Sequence, residues 1–414
     1  MTIAITPFDV ANDAELEVVA GIMRGAAPAD NPGLPVLSTR RYRARFRNPQ
    51  LNERRLSFLA RVDGVPAGVG VLILPDAVNR DTAMIELIVL PEFRRRGTGR
   101  ALHDRLISLA RTEGRTTVLA STSEGLPPGL SHAAPGQSHA VSDPFQAASD
   151  PSHAASDPFQ AASDPFQAAS DPFQAASDPS QAASDPSHAA PDLSHAAPGL
   201  SRAATEGPLH AAAGSAFAAA LGYRRASTAF GRLLDLDEVP VGRLSALVAP
   251  YTGGYTPVVW SGEVPDEDVR DIAYLNGRLL TDAPTGDIKY EGEKPDPAVI
   301  RNYEQAYRDK HSTLFHAAMR DDATGHLVAW TMVEQLDEPR SWGWQQITLV
   351  DPAHRGRRLG LAVKLHNHRQ LRAAAPELRW LHTWNSAANT HMNAINESLG
   401  FRPSGTTVDW QTRL

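Results

Sequence analysis

The sequence predicts an α/β (α+β) fold built from two tandem domains, each a mixed, mostly antiparallel sheet flanked by helices. Three observations support this prediction. A strand, a basic glycine-containing turn and a helix follow one another at 82–110, and the same pattern returns at 345–365. A Leu-Gly-aromatic tripeptide follows each copy, at 221–223 and 399–401. A low-complexity block at 128–204 explains why the first copy is longer.

The separations between matching residues support a duplication. Gly97 and Gly222 are 125 positions apart, against 42 for Arg358 and Gly400, and removing the 77 residues of the block leaves 48. The two halves then agree in length. We therefore predict a first domain at 1–234 with the block inserted into it, a linker at 235–256, and a second domain at 257–414.

The first domain is predicted in the order β-α-α-β-β-β-α-β. Leu16, Val19 and Ile22 recur on one face of a helix, and Asp63-Gly64 is a hairpin turn between two apolar runs. The predicted ranges are strand 2–7, helices 12–24 and 38–48, hairpin 56–73, strand 82–88, a helix from 102, strand 116–120, helix 209–221 and a closing hairpin at 223–234.

The second domain repeats this order, beginning with a strand at 257–260. Apolar and turn residues alternate as in the first half. The predicted ranges are helix 266–281, a turn at 282–287, helix 298–308, a hairpin of 313–320 and 326–334, strand 345–350, a helix at 361–365, strand 379–384, helix 388–399 and a last hairpin.

The block at 128–204 consists of eleven heptads, mostly Ser-Asp-Pro-[Phe/Ser]-[Gln/His]-Ala-Ala. A proline in every repeat excludes a continuous helix, and the alanine-rich apolar content is too small for a core. We therefore expect a disordered loop. It is either a repeat expansion without a role or a partner-binding segment.

Charge and composition exclude several classes of protein. The net charge is −7 over 414 residues, and the block alone has eight aspartates against one arginine. The remainder is near neutral, so no basic face suggests nucleic acid. There is no cysteine, which excludes disulfides, thiolate metal sites and a cysteine acyl-enzyme. No apolar run is long enough to span a membrane. We expect a cytoplasmic protein without a metal, and its oligomeric state is left open.

The turn Arg94-x-x-Gly97-x-Gly99 joins a strand to a helix. Such a turn directs several backbone N–H groups to one point beside the positive end of the helix, which suits a pyrophosphate. No Lys-Ser or Lys-Thr pair follows the glycines, so it is not a Walker A loop, and Leu102 stands where the dinucleotide fingerprint requires glycine.

The stretch resembles the acyl-CoA loop of the GNAT acetyltransferases, in which a V-x-P turn and [R/Q]-x-x-G-x-[G/A] hold the CoA pyrophosphate. Val89 and Pro91 precede the first loop, and Val350 and Pro352 precede the second. The resemblance implies that acetyl-CoA, or another acyl-CoA, contacts two sets of residues. They are Val89, Arg94, Arg95, Arg96, Gly97, Thr98, Gly99 and Arg100 in the first half, and Val350, Arg355, Gly356, Arg357, Arg358, Leu359, Gly360 and Asn389 in the second.

The resemblance also implies catalytic groups. A backbone N–H at the splayed end of the fourth strand polarises the thioester carbonyl, here that of Val89 or Val350. Glu86 stands where family members often have a base. An apolar setting would make this carboxylate a stronger base, and the alternative is that its side chain faces solvent. The second half has Ile347 there.

The tyrosine that protonates the thiolate in the family is missing in both halves. Its positions carry Ala218 and Asn396. The asparagine that touches the CoA arm matches Asn389 in the second half but Ala211 in the first. Neither half is complete, and duplicated GNAT chains, including those resembling mycothiol synthase, commonly keep one working half. Domain one is favoured for CoA binding because it has the better pyrophosphate loop. In the second loop Arg358 stands where Gly97 stands in the first, and its side chain either obstructs the pyrophosphate or turns to bind it.

The resemblance places the acceptor site against the first two helices of a domain. Residues 263–296 carry ten acids against four bases, which suits a cationic amine, or is simply a solvated helix face. Asp282 and Asp287 are the predicted contacts. We predict an acyl-CoA-dependent N-acyltransferase for a small, cationic amine, by direct transfer in a ternary complex. The alternative is a non-catalytic acyl-CoA sensor or scaffold.

Overall fold

The computed structural model describes residues 1–31, 33–48, 52–124, 213–282 and 294–414. The block at 128–204, Ala211 and Asp287 lie outside the described residues. The predicted domain boundaries remain a prediction, and the two halves are called here the N-terminal and the C-terminal half.

The described N-terminal half follows the predicted order of elements. Asn12 and Ser38 accept hydrogen bonds from the first turns of the two leading helices and so fix where each begins. The elements are β1 (Ile3–Pro7), α1 (Asp13–Asp30), α2 (Thr39–Arg47), β2 (Glu53–Val62), β3 (Val65–Pro75), β4 (Thr82–Val89), α3 (Thr98–Thr112), β5 (Thr117–Glu124), α4 (Ala213–Ala220) and β6 (Arg224–Asp235).

The C-terminal half repeats this order with two additional helices, α5 before its first strand and the short α7 after α6. Asp296 caps α8 as Asn12 caps α1. The elements are α5 (Val241–Val248), β7 (Tyr255–Ser261), α6 (Val269–Gly277), α7 (Leu279–Asp282), α8 (Pro297–Asp309), β8 (Thr313–Asp321), β9 (Leu327–Gln335), β10 (Trp342–Val350), α9 (Leu359–Ala374), β11 (Trp380–Ser386), α10 (Thr390–Leu399) and β12 (Arg402–Arg413).

Within the described residues, the strands form one continuous sheet of twelve strands in the order β1-β2-β3-β4-β5-β12-β6-β11-β10-β9-β8-β7. Most neighbours are antiparallel, but β4–β5 and β10–β11 are parallel. The predicted α/β class with mixed, mostly antiparallel sheets is confirmed.

The closing strands are exchanged between the halves. β12 pairs with β5 from Thr406↔Glu124 to Arg413↔Thr117, while β6 pairs with β11 from Trp380↔Asp235 to Ser386↔Ala229. The hairpins predicted at 223–234 and at the end of the chain are therefore wrong. Each is a single long strand, because the backbone groups on both of its edges are taken by other strands.

Two other predicted ranges need correction. The linker contains α5, whose Leu244 and Val248 are buried, so part of it is packed structure. The predicted helix at 266–281 is divided into α6 and α7. As a result Asp282, predicted in a turn, is the last residue of α7.

Buried apolar residues cover both faces of the N-terminal half. Leu102 and Leu106 of α3 are fully buried against Leu72 and Val118. Leu16 of α1 is equally buried in a separate cluster on the other face. Helices therefore cover both sides of β3 and β4, and only the ends of these strands are left for a site.

Candidate functional site

The first loop forms a left-handed turn between β4 and α3. Gly97, the residue before α3, has φ 85° and ψ −7°, and no side chain caps the helix there. Arg95 is also left-handed, with φ 61°. The turn leaves the first N–H groups of α3 without a side-chain acceptor, which is the arrangement that binds anions at a helix N-terminus.

The arginines of the first loop have different surroundings. Arg94 donates from Nε to the Val89 carbonyl at 2.9 Å and from Nη2 to Asp30 at 2.8 Å, so it braces the loop. Arg95 and Arg100 are exposed, and neither forms an ion pair with another described residue. Their guanidinium groups can therefore meet a phosphate.

The second loop repeats the turn with an arginine in the left-handed position. Arg358 has φ 52° and ψ 19°, close to the conformation of Gly97. Its Nη1 donates to the Leu247 carbonyl at 3.1 Å, and its guanidinium carbon lies 4.6 Å from the centre of the Tyr251 ring. Of the two orientations predicted for the Arg358 side chain, the structure has the outward one. The side chain is held there by protein groups at the end of α5 and just after it.

The other arginines of the second loop are also held. Arg355 donates to Asp282 at 2.8 Å, and Asp282 accepts two further bonds from Arg278 at 2.8 and 2.9 Å. Arg357 donates to the Tyr255 hydroxyl. Asp282, predicted to bind the acceptor, thus braces the second loop as Asp30 braces the first.

A gap opens between β4 and β5 beside the first loop. The parallel pairing ends at Met84↔Leu119, and β4 continues for five residues to Val89. The Leu90 N–H donates to the Ala67 carbonyl of β3. Since backbone groups alternate along a strand, the Val89 N–H points the opposite way, into the gap. The structure thus places the predicted N–H donor where the strands separate.

The C-terminal half has a corresponding gap. The pairing of β10 with β11 ends at Trp344↔His382, and the Asp351 N–H donates to Val328 of β9 at 2.8 Å. By the same alternation the Val350 N–H faces the gap. Both predicted backbone donors therefore occupy equivalent positions.

Glu86 lies on β4 within reach of α2. Both its carboxylate oxygens accept from Nη2 of Arg45, at 2.5 and 2.6 Å. The side chains remain 34% and 39% exposed. Glu86 is therefore neither enclosed by apolar groups nor free in solvent. The guanidinium group of Arg45 balances the charge of its carboxylate. Ile347, at the matching position, is buried.

A second arginine of α2 makes a closed ion pair with the other half. Arg41 contacts Glu334 of β9, and the two side chains are 8% and 1% exposed. Ser312 and Gln346 donate to the two oxygens of Glu334, each at 2.7 Å. Nothing in the local sequence pattern indicated this pair.

The predicted asparagine and tyrosine positions of the C-terminal half have structural partners. Asn389 accepts from the Met392 N–H at 3.0 Å and caps α10. Asn396, fully buried, donates to Asn385 at 2.6 Å and accepts from Lys364 Nζ at 3.0 Å. In the N-terminal half Ala218 is buried in the core. Neither tyrosine position offers a group that protonates a thiolate.

Lys364 was not singled out by the sequence, since one lysine in an apolar helix gives no signal. It is 5% exposed, and burial lowers the pKa of its ammonium group from 10.5 to about 7. A cavity of about 20 Å³ adjoins it, bordered by Asn367 and His368. Asn367 Oδ1 and His368 Nδ1 have no hydrogen-bond partner among the described residues, and this volume is enough for one water.

Replacing Lys364 with methionine is expected to flatten the pH dependence of stability. Between pH about 7 and 10.5 the unfolded chain holds a proton that the folded chain lacks. Stability therefore rises with pH there, by up to about 1.4 kcal/mol per pH unit for this one group. Urea unfolding from pH 7.5 to 9.5 measures the slope. Exposed Lys294→Met is the control, and equal slopes in both variants would contradict the expectation.

His382 and Trp384 lie together on β11. His382 is 2% exposed, its Nε2 lies 2.7 Å from Ser404 Oγ, and burial lowers its pKa to about 3. Trp384 is 44% exposed, with its ring 4.0 Å from that of His382. His382 therefore stays neutral at physiological pH, and its ring packs against that of Trp384 as a structural contact.

The acidic stretch at 263–296 is mostly engaged with the protein itself. Six of the seven described acids there have a partner: Glu263 with Arg308, Asp266 with Arg301, Asp268 with Arg320, Asp271 with His326, Asp282 with Arg278, and Asp296 with the Ala298 N–H. This weakens the argument for an acidic wall that selects a cationic acceptor. Asp287 lies outside the described residues.

Two further properties concern the described parts of the chain. None of the helices there is long and apolar enough to cross a membrane. No group of three or more His, Asp or Glu side chains there is placed to hold a metal ion.

Comparison with known proteins places this geometry in a family. Residues 26–127, from the end of α1 through β5, match the sequence model described as the acetyltransferase (GNAT) family. This segment contains Glu86, Val89 and the whole first loop. No curated protein matches the chain.

Several solved structures resemble the whole chain. A tandem GNAT protein from the clavulanic acid biosynthesis pathway has 24% sequence identity and a TM-score of 0.69, over 100% of this chain and 98% of that one. A GCN5-related N-acetyltransferase from Sphaerobacter thermophilus has 13% identity and a TM-score of 0.55, over 99% and 95%. A glucosamine N-acetyltransferase region of a fungal β-N-acetylglucosaminidase has 12% identity and a TM-score of 0.56, over 99% and 38%. Residues 26–127 therefore belong to the GNAT acetyltransferase family, and the chain as a whole has the fold of a tandem-domain GNAT protein.

Proposed function

We propose that the protein is an acyl-CoA-dependent N-acyltransferase, with acetyl-CoA as the simplest donor and a small amine as the acceptor. The observation that carries the proposal is the first loop beside its gap. Gly97 directs uncapped N–H groups of α3 outward, and the Val89 N–H points between the separated strands. One acyl-CoA molecule in an extended conformation can place its pyrophosphate at the loop and its thioester at Val89.

Transfer in a ternary complex needs a polarised carbonyl and a neutral amine. The Val89 N–H donates to the thioester oxygen, and Glu86 takes the proton that the ammonium group loses, directly or through water. The amine nitrogen attacks the carbonyl carbon, the C–N bond forms and the C–S bond breaks. The nitrogen loses two protons in all: the first passes to Glu86 and on to water, and the second, lost after the C–N bond forms, reaches the thiolate, which leaves as CoA thiol.

The N-terminal half is the proposed donor site. Arg95 and Arg100 are exposed in the first loop, whereas Arg355, Arg357 and Arg358 of the second loop bind protein groups. We expect one CoA per chain. The C-terminal half would then be structural, with Val350 retained as a remnant donor.

A sensor that binds acyl-CoA without turnover is the second candidate. It is favoured by the two tyrosine positions, where Ala218 is buried and Asn396 is bonded to Lys364. Without a residue that protonates the thiolate, release of CoA depends on water.

Two measurements separate these functions. Thiol release from acetyl-CoA across a panel of small amines tests turnover, and calorimetry with CoA gives affinity and stoichiometry. Amine-dependent release supports the transferase. CoA binding without release on any amine supports the sensor, and no binding of CoA overturns both.

A further inference from the structure

Helix α2 presents an arginine to the candidate base. Tyr42 and Phe46 are buried in the cluster that also contains Leu59 and Val71, so the helix is anchored on the sheet. One turn of helix separates Arg41 from Arg45, and both side chains point to carboxylates. The position of Arg45 beside Glu86 is therefore set by the packing of α2.

The ion pairs made by Arg41 and Arg45 differ in how open they are. The Arg41–Glu334 pair is closed, with at most 8% of either side chain exposed. The Arg45–Glu86 pair keeps about a third of each side chain exposed. A small molecule can therefore reach Arg45 and Glu86 together, but not Arg41 and Glu334.

Several cationic groups surround this open pair, and two of them have carboxylate partners of their own: Arg41 with Glu334 and Arg55 with Glu53. Burial lowers the pKa of the Lys310 ammonium, and the guanidinium groups of Arg41, Arg45 and Arg55 lower it further, although Glu334 acts in the opposite direction. Arg55 also donates to the Arg45 carbonyl at 3.1 Å. An acceptor bound at Glu86 therefore lies beside guanidinium groups that can attract an anion.

Binding of an amine at Glu86 has a consequence for Arg45. An ammonium group that takes the carboxylate displaces the guanidinium and leaves it without a counter-ion, in a site where it is 39% exposed. A carboxylate on the same acceptor removes this cost, because Arg45 can bind it through two parallel hydrogen bonds. One internal ion pair is then replaced by two intermolecular ones.

We propose that the acceptor is a zwitterion, a small primary amine that carries a carboxylate, with its amine on Glu86 and its carboxylate on Arg45. This inference rests on the proposed acyltransferase function. The product is an N-acyl amino carboxylate: the carboxylate is unchanged, and the ammonium nitrogen gains the acyl group and loses two protons, one that ends on the CoA thiol and one that is released to water.

Matched acceptors test the charge requirement. Amino acids are compared with the amines that lack only the carboxylate, such as phenylalanine with phenethylamine and lysine with cadaverine, and with the corresponding amino-acid amides. We expect kcat/KM for thiol release to be at least about tenfold higher for the carboxylates, which corresponds to one favourable ion pair of about 1.4 kcal/mol. Equal or lower values for the carboxylates overturn the inference while leaving the acyltransferase intact.

Variants of α2 assign the preference to a residue. In Arg45→Gln the preference for carboxylates is expected to fall to near one, through a higher KM for the carboxylates and a lower KM for the plain amines, which no longer have to displace a guanidinium from Glu86. Arg45→Lys keeps the charge and should retain part of the preference. Arg40→Gln, an exposed arginine of the same helix, is the matched control and should keep all of it.

The possible failures are distinguishable. Thermal unfolding of each variant shows whether α2 stays folded, and CoA calorimetry shows whether the donor site is intact. Turnover with a preference that Arg45→Gln leaves unchanged overturns the role of Arg45. CoA binding without turnover on any acceptor overturns the proposed function itself.

Discussion

Replacing Arg41 with methionine is expected to lower the free energy of unfolding by about 3–5 kcal/mol. The substitution leaves the Glu334 carboxylate, 1% exposed, without its cation. Ser312 and Gln346 still donate to it, but neutral donors do not balance a buried charge. Because the pair joins α2 to β9, the loss also loosens the contact between the two halves.

Urea unfolding followed by tryptophan fluorescence measures this effect. Arg43→Met is the control, since Arg43 lies on the same helix and pairs with exposed Asp13. Such surface pairs contribute about 0–1 kcal/mol. Adding Glu334→Gln to Arg41→Met should recover part of the loss, because it removes the stranded charge. Equal destabilisation by the Arg41 and Arg43 variants would show that the buried pair is not a main contact between the halves.

Replacing Gly99 with aspartate is expected to weaken CoA binding by about a hundredfold, or about 2.7 kcal/mol, the size of one charge-assisted hydrogen bond. Gly99 is the second residue of α3, where a carboxylate would compete for the N–H groups and repel a pyrophosphate. An acid in the first turn of a helix favours the helix by about 0.3–1 kcal/mol. The fold should therefore be retained while binding is lost.

Calorimetry with CoA is the measurement, and Gly99→Ala is the control. A methyl group at this position would lie 3.6 Å from the Phe217 ring and 3.8 Å from the Val89 side chain, both ordinary contacts. We expect Gly99→Ala to bind CoA nearly as the unchanged protein does. Unaltered affinity in Gly99→Asp would place the pyrophosphate away from the first loop.

Local sequence patterns were sufficient for much of the fold and for the loops. The strand, turn and helix around Gly97 and the equivalent turn at Arg358 were predicted from glycine spacing and apolar periodicity, and both have the left-handed residue before the helix. The tandem GNAT resemblance rests on the same short motifs and is confirmed. The roles assigned to Glu86, Val89 and Val350 stay predictions.

Other features depended on contacts between residues far apart in the chain. The partner of Glu86 is Arg45, on a helix whose docking the sequence did not reveal, and Asp282 turned out to brace Arg355. The orientation of Arg358 was left open because its partners, Leu247 and Tyr251, lie in a segment read as a linker.

The sequence alone determined most element types, the duplication and the two left-handed turns before α3 and α9, because these arise from backbone preferences and periodicities within a few residues. Only the tertiary structure decided that β6 and β12 change places between the halves. It also decided that Lys364 is buried against Asn396 and that Arg41 meets Glu334. An edge strand or a charged side chain accepts many partners of the same chemistry, and the packing of the whole sheet selects one of them.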